Sequence, residues 1–389
     1  MAAGDIYKLE LLGIASGGEA LARIRGKPVF VEGGAPCEKA VCRINEEHKS
    51  WARAEILEII EASPVRTSAA CVYYGKCGGC NLQHIDYNAQ LEAKAAILTE
   101  SFVKIGGFAP PMPEIHPSPP WEYRNRMQFH CFREQKHDEN KKFGVKGRRS
   151  GEIIPVSDCP IADPKIRELL QNNTPVSFPP EKDRFTVYAR NELLINEGGV
   201  QRGKISFLGR EITLDAQVFF QSNGTMLEKL ISDLQKITAG AGKNMPMADL
   251  YAGVGTFAFF LFDKHEFTKA DIVEENKTAL SLARENMRGK NADFFAMRDS
   301  DWVKNVRNKP AYGFVIADPP RSGLAPTLTA WLAESGTPML TYVSCDPASL
   351  ARDSKILING GYKLEKLALY DFYPQTAHIE TLSVFTRAC

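Results

Sequence analysis

Apolar positions change rhythm twice along this chain. Over the first sixty residues they alternate in short runs, at Tyr7–Leu12, Ala20–Ile24, Val29–Val31, Ala40–Ile44 and Ala54–Ile60. Turn signals separate the runs: Ser16-Gly17-Gly18, Arg25-Gly26-Lys27 and Gly33-Gly34. Short strands at this spacing predict a small all-β barrel, a shape that often binds RNA, although a purely structural barrel has the same pattern. Between about Tyr87 and Val103 the spacing turns helical, and Gly106-Gly107 ends the run. Pro110 to Pro120 then reads as an extended linker, with His116 a solvated residue inside it. From Trp121 the pattern is β-rich again, with strands expected at Glu152–Val156, Phe185–Ala189, Leu193–Ile195 and Ile205–Phe207 and a loop at Pro179-Pro180.

The second change comes at about residue 211, where apolar strands begin to alternate with helices near Thr225–Ile237 and Lys277–Met287. Strands are expected to end at Asp249, at Glu274, at Asp318 after Ala311–Ala317, and at Cys345 after Met339–Ser344; Leu382–Phe385 is the last. This alternation predicts a doubly wound, mostly parallel sheet. Ligands of such sheets bind at the carboxyl ends of the strands. The expected division is 1–62 for the barrel, 63–210 for a central β-rich domain and 211–389 for the α/β domain. The helix near 87–103 has the option of packing on the last of these.

Composition adds limits. The 389 residues, 44% hydrophobic, suffice for two or three packed domains. Net charge is +1, so any nucleic-acid signal has to be local. One stretch carries it: Arg124 to Arg149 holds nine Lys or Arg against three acids, interleaved with Phe129, Phe132 and Phe143 and preceded by Tyr123. Basic groups can neutralise phosphates and aromatic faces can stack on unpaired bases. Lys27, Arg23, Arg43 and Arg53 are further candidate phosphate contacts in the barrel. The N-terminus lacks a signal-peptide pattern and no run is apolar enough to span a membrane, so a cytoplasmic protein is expected.

Cysteine supplies the chemistry. Cys71, Cys77 and Cys80 fall within ten residues, with Gly75, Gly78 and Gly79 among them. Cys159, before Pro160, is the best fourth member. Four thiolates suit zinc or a [4Fe–4S] cluster, and spacing does not choose. Cys345 is different: Asp346-Pro347 stops its strand, leaving the thiol at a strand end. The turn Asp249-Leu-Tyr-Ala-Gly-Val-Gly-Thr-Phe257 lets backbone approach a ligand, and Glu274, 25 residues after Asp249, is placed to hold ribose hydroxyls. Ala258 replaces a third glycine, a change that dinucleotide loops tolerate, so the loop does not separate NAD from S-adenosylmethionine.

Four motifs in order, Asp249 to Phe257, Asp318-Pro-Pro-Arg-Ser-Gly323, Val343-Ser-Cys345-Asp-Pro347 and His378-Ile-Glu380-Thr381, resemble the RNA 5-methyluridine methyltransferases. The cysteine pattern resembles their iron–sulfur branch, which modifies 23S rRNA, and the first sixty residues look like its TRAM barrel. The resemblance selects S-adenosylmethionine as donor and [4Fe–4S] at Cys71, Cys77, Cys80 and Cys159. It implies Cys345 as nucleophile and Glu380 as general base. It places Gln221, Tyr251, Thr256, Glu274, Asp299 and Asp318 around donor and target base. The reaction implied is methylation of uridine C5 through a Cys345 adduct at C6, by a monomer acting on RNA. A reactive thiol calls for a lowered pKa. The alternatives are tRNA uracil-5-methylation, a non-catalytic RNA-binding or assembly protein, and a redox sensor built on the cysteines.

Overall fold

The computed structural model describes residues 1–132, 142–172, 182–239, 241, 243–306 and 312–387. The loop expected at Pro179-Pro180, the basic stretch from Arg133 to Lys141, Ala311 and Cys389 lie outside the described residues.

The expected α/β sheet is present with eight strands. Their order is Ala292–Phe295, Ala270–Val273, Met247–Leu250, Phe314–Ala317, Met339–Ser344, Glu380–Thr386, Lys363–Tyr370, Glu114–His116. The first five pair in parallel, and Glu380–Thr386 runs antiparallel to both of its neighbours. The four-residue strands Met247–Leu250, Ala270–Val273 and Phe314–Ala317 are buried throughout, as strands covered on both faces must be. Alternation sorts the core: Phe314 and Ile316 pack with Leu230, Phe257 and Phe260 on one face, Val315 and Ala317 with Leu328, Leu350 and Leu357 on the other. Chain order reverses between Met247–Leu250 and Phe314–Ala317, so a crevice opens at their carboxyl ends.

Helix Tyr87–Ser101 takes the packing option noted above. Its cap is Asp86, whose carboxylate accepts the Asn88 N–H (2.9 Å). Leu91, Leu98 and the following Phe102 join the second core face, each worth about 1.5–3 kcal/mol when fully buried. Lys94 is buried in the same contact. Its ammonium meets the buried Asp371 carboxylate at 2.6 Å, and removing one partner of such a pair costs about 3–5 kcal/mol.

The Pro-rich stretch is not only a linker. Glu114–His116 adds a parallel strand beside Lys363–Tyr370, and His116 is buried with its ring stacked on Tyr370. Flanking prolines confine so short a strand to a sheet edge, which is why its pattern did not announce it.

Residues 6–61 form a six-stranded sheet that curls on itself. Ile6–Leu11 pairs with Glu38–Glu47, while Gly13–Ile14, its continuation, pairs with Ala20–Ile24 at the other end. Leu9, Leu11, Val29, Val31 and Ile44 fill its interior. A five-stranded sheet holds Ile153–Ile154, Lys142–Lys146, Arg126–Phe132, Arg184–Arg190 and Leu193–Asn196. The strand expected at Ile205–Phe207 does not join it. Arg202–Phe207 pairs with Arg210–Asp215 in a separate hairpin, whose Ile205, Phe207, Ile212 and Leu214 pack into the core of the eight-stranded sheet.

Candidate active site

The register of two strands makes the site. Ser344 pairs with Thr381 across an antiparallel ladder, so the next step places Cys345 opposite Glu380. Two residues 35 apart in sequence thus become neighbours at one sheet edge. Asp346 then caps helix Pro347–Asn359 by accepting the Ser349 N–H (2.7 Å), and Pro347 occupies its first turn. Strand, cap and helix fix the backbone on both sides of the thiol.

A cavity of about 1130 Å3 lies over this edge. Gln221, Tyr251, Thr256, Glu274, Asp299, Asp318, Cys345 and Glu380 all line it. The glycine turn enters it with Tyr251 at φ 60°, Gly253 at 55° and Gly255 at 78°. A Cβ at Gly255 would sit 3.1 Å from the Ala283 methyl, so a side chain there is opposed by space as well as by φ. The Asp249 carboxylate accepts the Ala258 N–H (2.8 Å) and ties the short buried helix Thr256–Leu261 to its strand. Glu274 accepts the N–H groups of Gly253 (2.9 Å) and Asn276 (2.7 Å). Tyr251 donates to Asp299, which also accepts the Ala325 N–H (3.3 Å). Gln221 hydrogen-bonds the Asp318 carboxyl, while its own Oε1 is buried with no partner among the described residues.

The electrostatics correct one expectation. Burial, then Glu380 and Asp318, push the Cys345 thiol up to about 12, instead of lowering it. Burial also raises Asp318 and Asp249 to about 7. Burial and the Asp318 charge raise Glu380, against the pull of Arg321. Crowded together in one dry place, these three carboxyl groups bind a proton more readily than ordinary carboxylates do. His378 is lowered to about 4, by burial first and then by Arg321, and stays neutral.

A second cavity, of about 400 Å3, is lined by Cys71, Cys77, Cys80 and Cys159 together with Tyr73, Tyr74 and Arg148. Burial pushes Cys80 up to about 12 and Cys159 to about 11, with Arg124 pulling the other way. The Gly79 N–H donates to Cys77 Sγ at 3.3 Å. Among the described residues no group of three or more His, Cys, Asp or Glu side chains is drawn together tightly enough to hold a metal ion. Arg124 lines both cavities, and no carboxylate among the described residues pairs with it.

Several sequence candidates turn out to be packing. Tyr123 and Phe129 are buried, and Phe143 stands edge-on to Phe129 and Phe185. In the first sheet Lys27, Arg43 and Arg53 are each held by a carboxylate, from Glu47, Glu55 and Glu19, while Arg23 donates to the Gly26 carbonyl. Arg148 and Arg149 pair with Glu32. What the sequence did not single out is Phe219, 57% exposed on the wall of the large cavity with the Arg126 guanidinium 5.3 Å from its ring centre. A Phe-Phe pair before a polar turn was its only trace.

Comparison with known proteins bears on the family and the fold. A family model described as tRNA (Uracil-5-)-methyltransferase matches residues 296–388, and one described as Methyltransferase small domain matches residues 222–333. An uncharacterized RNA methyltransferase of Treponema denticola is 33% identical over 93% of this chain and 94% of its own. The 23S rRNA (uracil(1939)-C(5))-methyltransferase RlmD of Shewanella denitrificans is 28% identical, over 95% and 94%. The crystal structure of Pyrococcus abyssi tRNA (uracil-54, C5)-methyltransferase with S-adenosyl-L-homocysteine covers 98% of this chain and 100% of its own at a TM-score of 0.73. At 21% identity it shows the shared fold. With matched motifs, whole-length relatives and a common fold, the chain belongs to the RNA 5-methyluridine methyltransferase family, and it is an RNA methyltransferase.

Proposed function

We propose that this enzyme methylates C5 of a uridine in RNA, 23S rRNA in the first place, through a covalent bond between Cys345 Sγ and C6. The observation that carries the proposal is the register that sets Cys345 against Glu380 beside Asp318. The names of its relatives favour ribosomal RNA.

The chemistry follows from the target. C5 of uracil is a weak nucleophile until a thiolate adds at C6 and leaves an enolate. The Cys345 thiol is pushed up to about 12, so its proton has to leave as the bond to C6 forms. Asp318, held above an ordinary carboxylate, can take that proton, which leaves the Glu380 carboxylate ionised for the C5 proton. After the methyl is in place Glu380 takes the C5 proton, the C5–C6 double bond returns, and the Cys345 thiolate is expelled. Gln221, with a buried oxygen unpartnered, and Asp318 present complementary edges to the uracil ring. The base has to leave its stack to reach this depth.

S-adenosylmethionine supplies an electrophilic methyl on its sulfonium. Glu274 would hold its ribose, and Tyr251, Thr256 and Asp299 its remaining polar groups; the left-handed turn 251–255 leaves room for close approach. In the second cavity Cys71, Cys77, Cys80 and Cys159 would hold [4Fe–4S]. What supports a cluster over zinc is the resemblance of the cysteine pattern to the iron–sulfur branch, together with the lining of one cavity of about 400 Å3 by all four thiols. The curled sheet within 1–62 would serve as a TRAM-like RNA module, 63–210 as the cysteine-bearing domain and 211–389 as the methyltransferase domain of a cytoplasmic monomer. No helix among the described residues is long and apolar enough to cross a membrane.

Mapping 5-methyluridine in RNA from cells lacking the protein tests the proposal. Loss of the mark from 23S rRNA is the expected result, and loss from tRNA alone would move the substrate.

A further inference from the structure

We propose that Asn81, the residue after Cys80, is a positioning residue for Glu380, acting with Gln90 through the loop 371–379. The inference rests on the reading of Glu380 as the base.

This loop joins strand Lys363–Tyr370 to strand Glu380–Thr386, and Glu380 is the first residue beyond it. Its own hydrogen bonds are few: the Thr376 hydroxyl and N–H both donate to the Tyr373 carbonyl (2.8 and 3.3 Å), and the hydroxyl accepts the His378 N–H (3.2 Å). The rest of its support comes from far away in sequence. Asn81 N–H and Leu82 N–H both donate to the Gln375 carbonyl, at 3.1 and 3.0 Å. The Ala377 N–H donates to Asn81 Oδ1 at 2.8 Å. Gln90 and Gln375 are both buried; the Gln90 side chain donates to Gln375 Oε1 and accepts the Gln375 N–H, each at 3.0 Å. Tyr123 and Lys94 donate to the next two carbonyls back, Pro374 at 2.8 Å and Tyr373 at 3.1 Å.

Gln375 shows what this support is for. Its φ is +66°, left-handed for a residue with a Cβ. Such a conformation persists where surrounding bonds over-determine it, and it clusters at functional sites. Here the bonds come from the segment that starts at Cys80 and from the helix behind it. Asn81 also donates to the Gly17 carbonyl (2.9 Å), so the first sheet ends at the same point. Ala377 stands three residues before Glu380. Releasing it frees the approach of that carboxylate to Cys345 while leaving the donor turn 249–257 untouched. The clamp should therefore act on the last step, removal of the C5 proton, more than on formation of the adduct.

The test uses full-length protein and three variants. Asn81→Ala removes the acceptor for Ala377; Asn81→Asp keeps it; Gln375→Gly relaxes the left-handed backbone and removes the Oε1 to which Gln90 donates, leaving only the backbone N–H that Gln90 accepts. Hydrogen exchange at the Ala377 amide reads the clamp without RNA. Single-turnover reactions with S-adenosylmethionine and 23S rRNA from cells lacking the protein read formation and resolution of the covalent adduct separately, and iron content reports the cysteine cavity. Asn81→Ala should speed exchange at Ala377 and slow adduct resolution by about tenfold or more, with formation and iron little changed. Asn81→Asp should stay near wild type, and Gln375→Gly should repeat the slow resolution should Asn81→Ala fail to fold. Unchanged exchange at Ala377, equal slowing of both steps, or an Asn81→Asp as impaired as Asn81→Ala would overturn the clamp. Should neither wild type nor any variant, Glu380→Gln included, form an adduct, the reading of Cys345 and Glu380 fails, and the exchange measurement alone decides the clamp.

Discussion

Two cavities share Arg124 as a wall, and each holds thiols whose pKa is pushed up, yet their situations differ. Cys345 is raised by burial together with two carboxylates. Cys80 is raised by burial together with other thiols. The first surroundings contain groups able to accept a proton when the thiol reacts. The second are lined by thiols, aromatic rings and cations, with the Asp158 carboxylate already paired to Arg167, and on the proposed reading the four sulfurs there would be relieved of their protons by a metal. A perturbed thiol does not by itself say what it does; its neighbours do. On the proposed reading, one cavity serves a reaction and the other a ligand.

Four variants can break or sharpen this contrast. Cys345→Ala should abolish methyl transfer while S-adenosylmethionine still binds and iron is retained; methylation by this variant would remove the nucleophile. Cys159→Ser should do the reverse, losing iron from protein purified without air while donor binding persists. Stoichiometric zinc and no iron in the wild-type protein would refute the cluster. Glu380→Gln should slow turnover by about 10²–10⁴-fold and leave an RNA–protein adduct visible on a denaturing gel. Normal turnover with no adduct would take Glu380 out of the mechanism.

The smallest effect is on stability. Asp249 is raised by burial to about 7, so the folded state holds its proton more tightly than the unfolded chain does. Its contribution to stability is complete below the unfolded value near 3.8 and is lost as pH rises through about 7. Asp249→Asn should therefore gain on wild type in thermal unfolding as pH goes from about 5 to about 8, by at least ~2–4 °C. A constant gap across that range would mean that this acid ionises as freely in the folded state.

Much of the reactive cavity was legible in the sequence, for a physical reason. Strands buried on both faces are continuous apolar runs, so the polar residues that end them stand out: Asp249, Glu274, Asp318 and Cys345 each mark a strand end. The pairing that brings Glu380 beside Cys345 was not legible, because register depends on neighbours far along the chain. Aromatic residues misled at Tyr123, Phe129 and Phe143, since core and stacking platform use the same side chains and only burial tells them apart. The thiol pKa also misled, because burial, and then crowding by carboxylates, exist only after folding. The strand Glu114–His116 hid among prolines, and the clamp on Gln375 joins residues as much as 294 positions apart.

The central claim, that Cys345 bonds to uracil C6, has a direct measurement. In RNA carrying 5-fluorouridine at the target, no proton is available at C5 for Glu380 to remove, so the adduct cannot resolve. Incubated with this RNA and S-adenosylmethionine, the wild-type protein should become covalently joined to it, with the link mapped by mass spectrometry to Cys345 and absent from Cys345→Ala. Methylated RNA recovered with no covalent species, or a link at any other residue, would contradict the account.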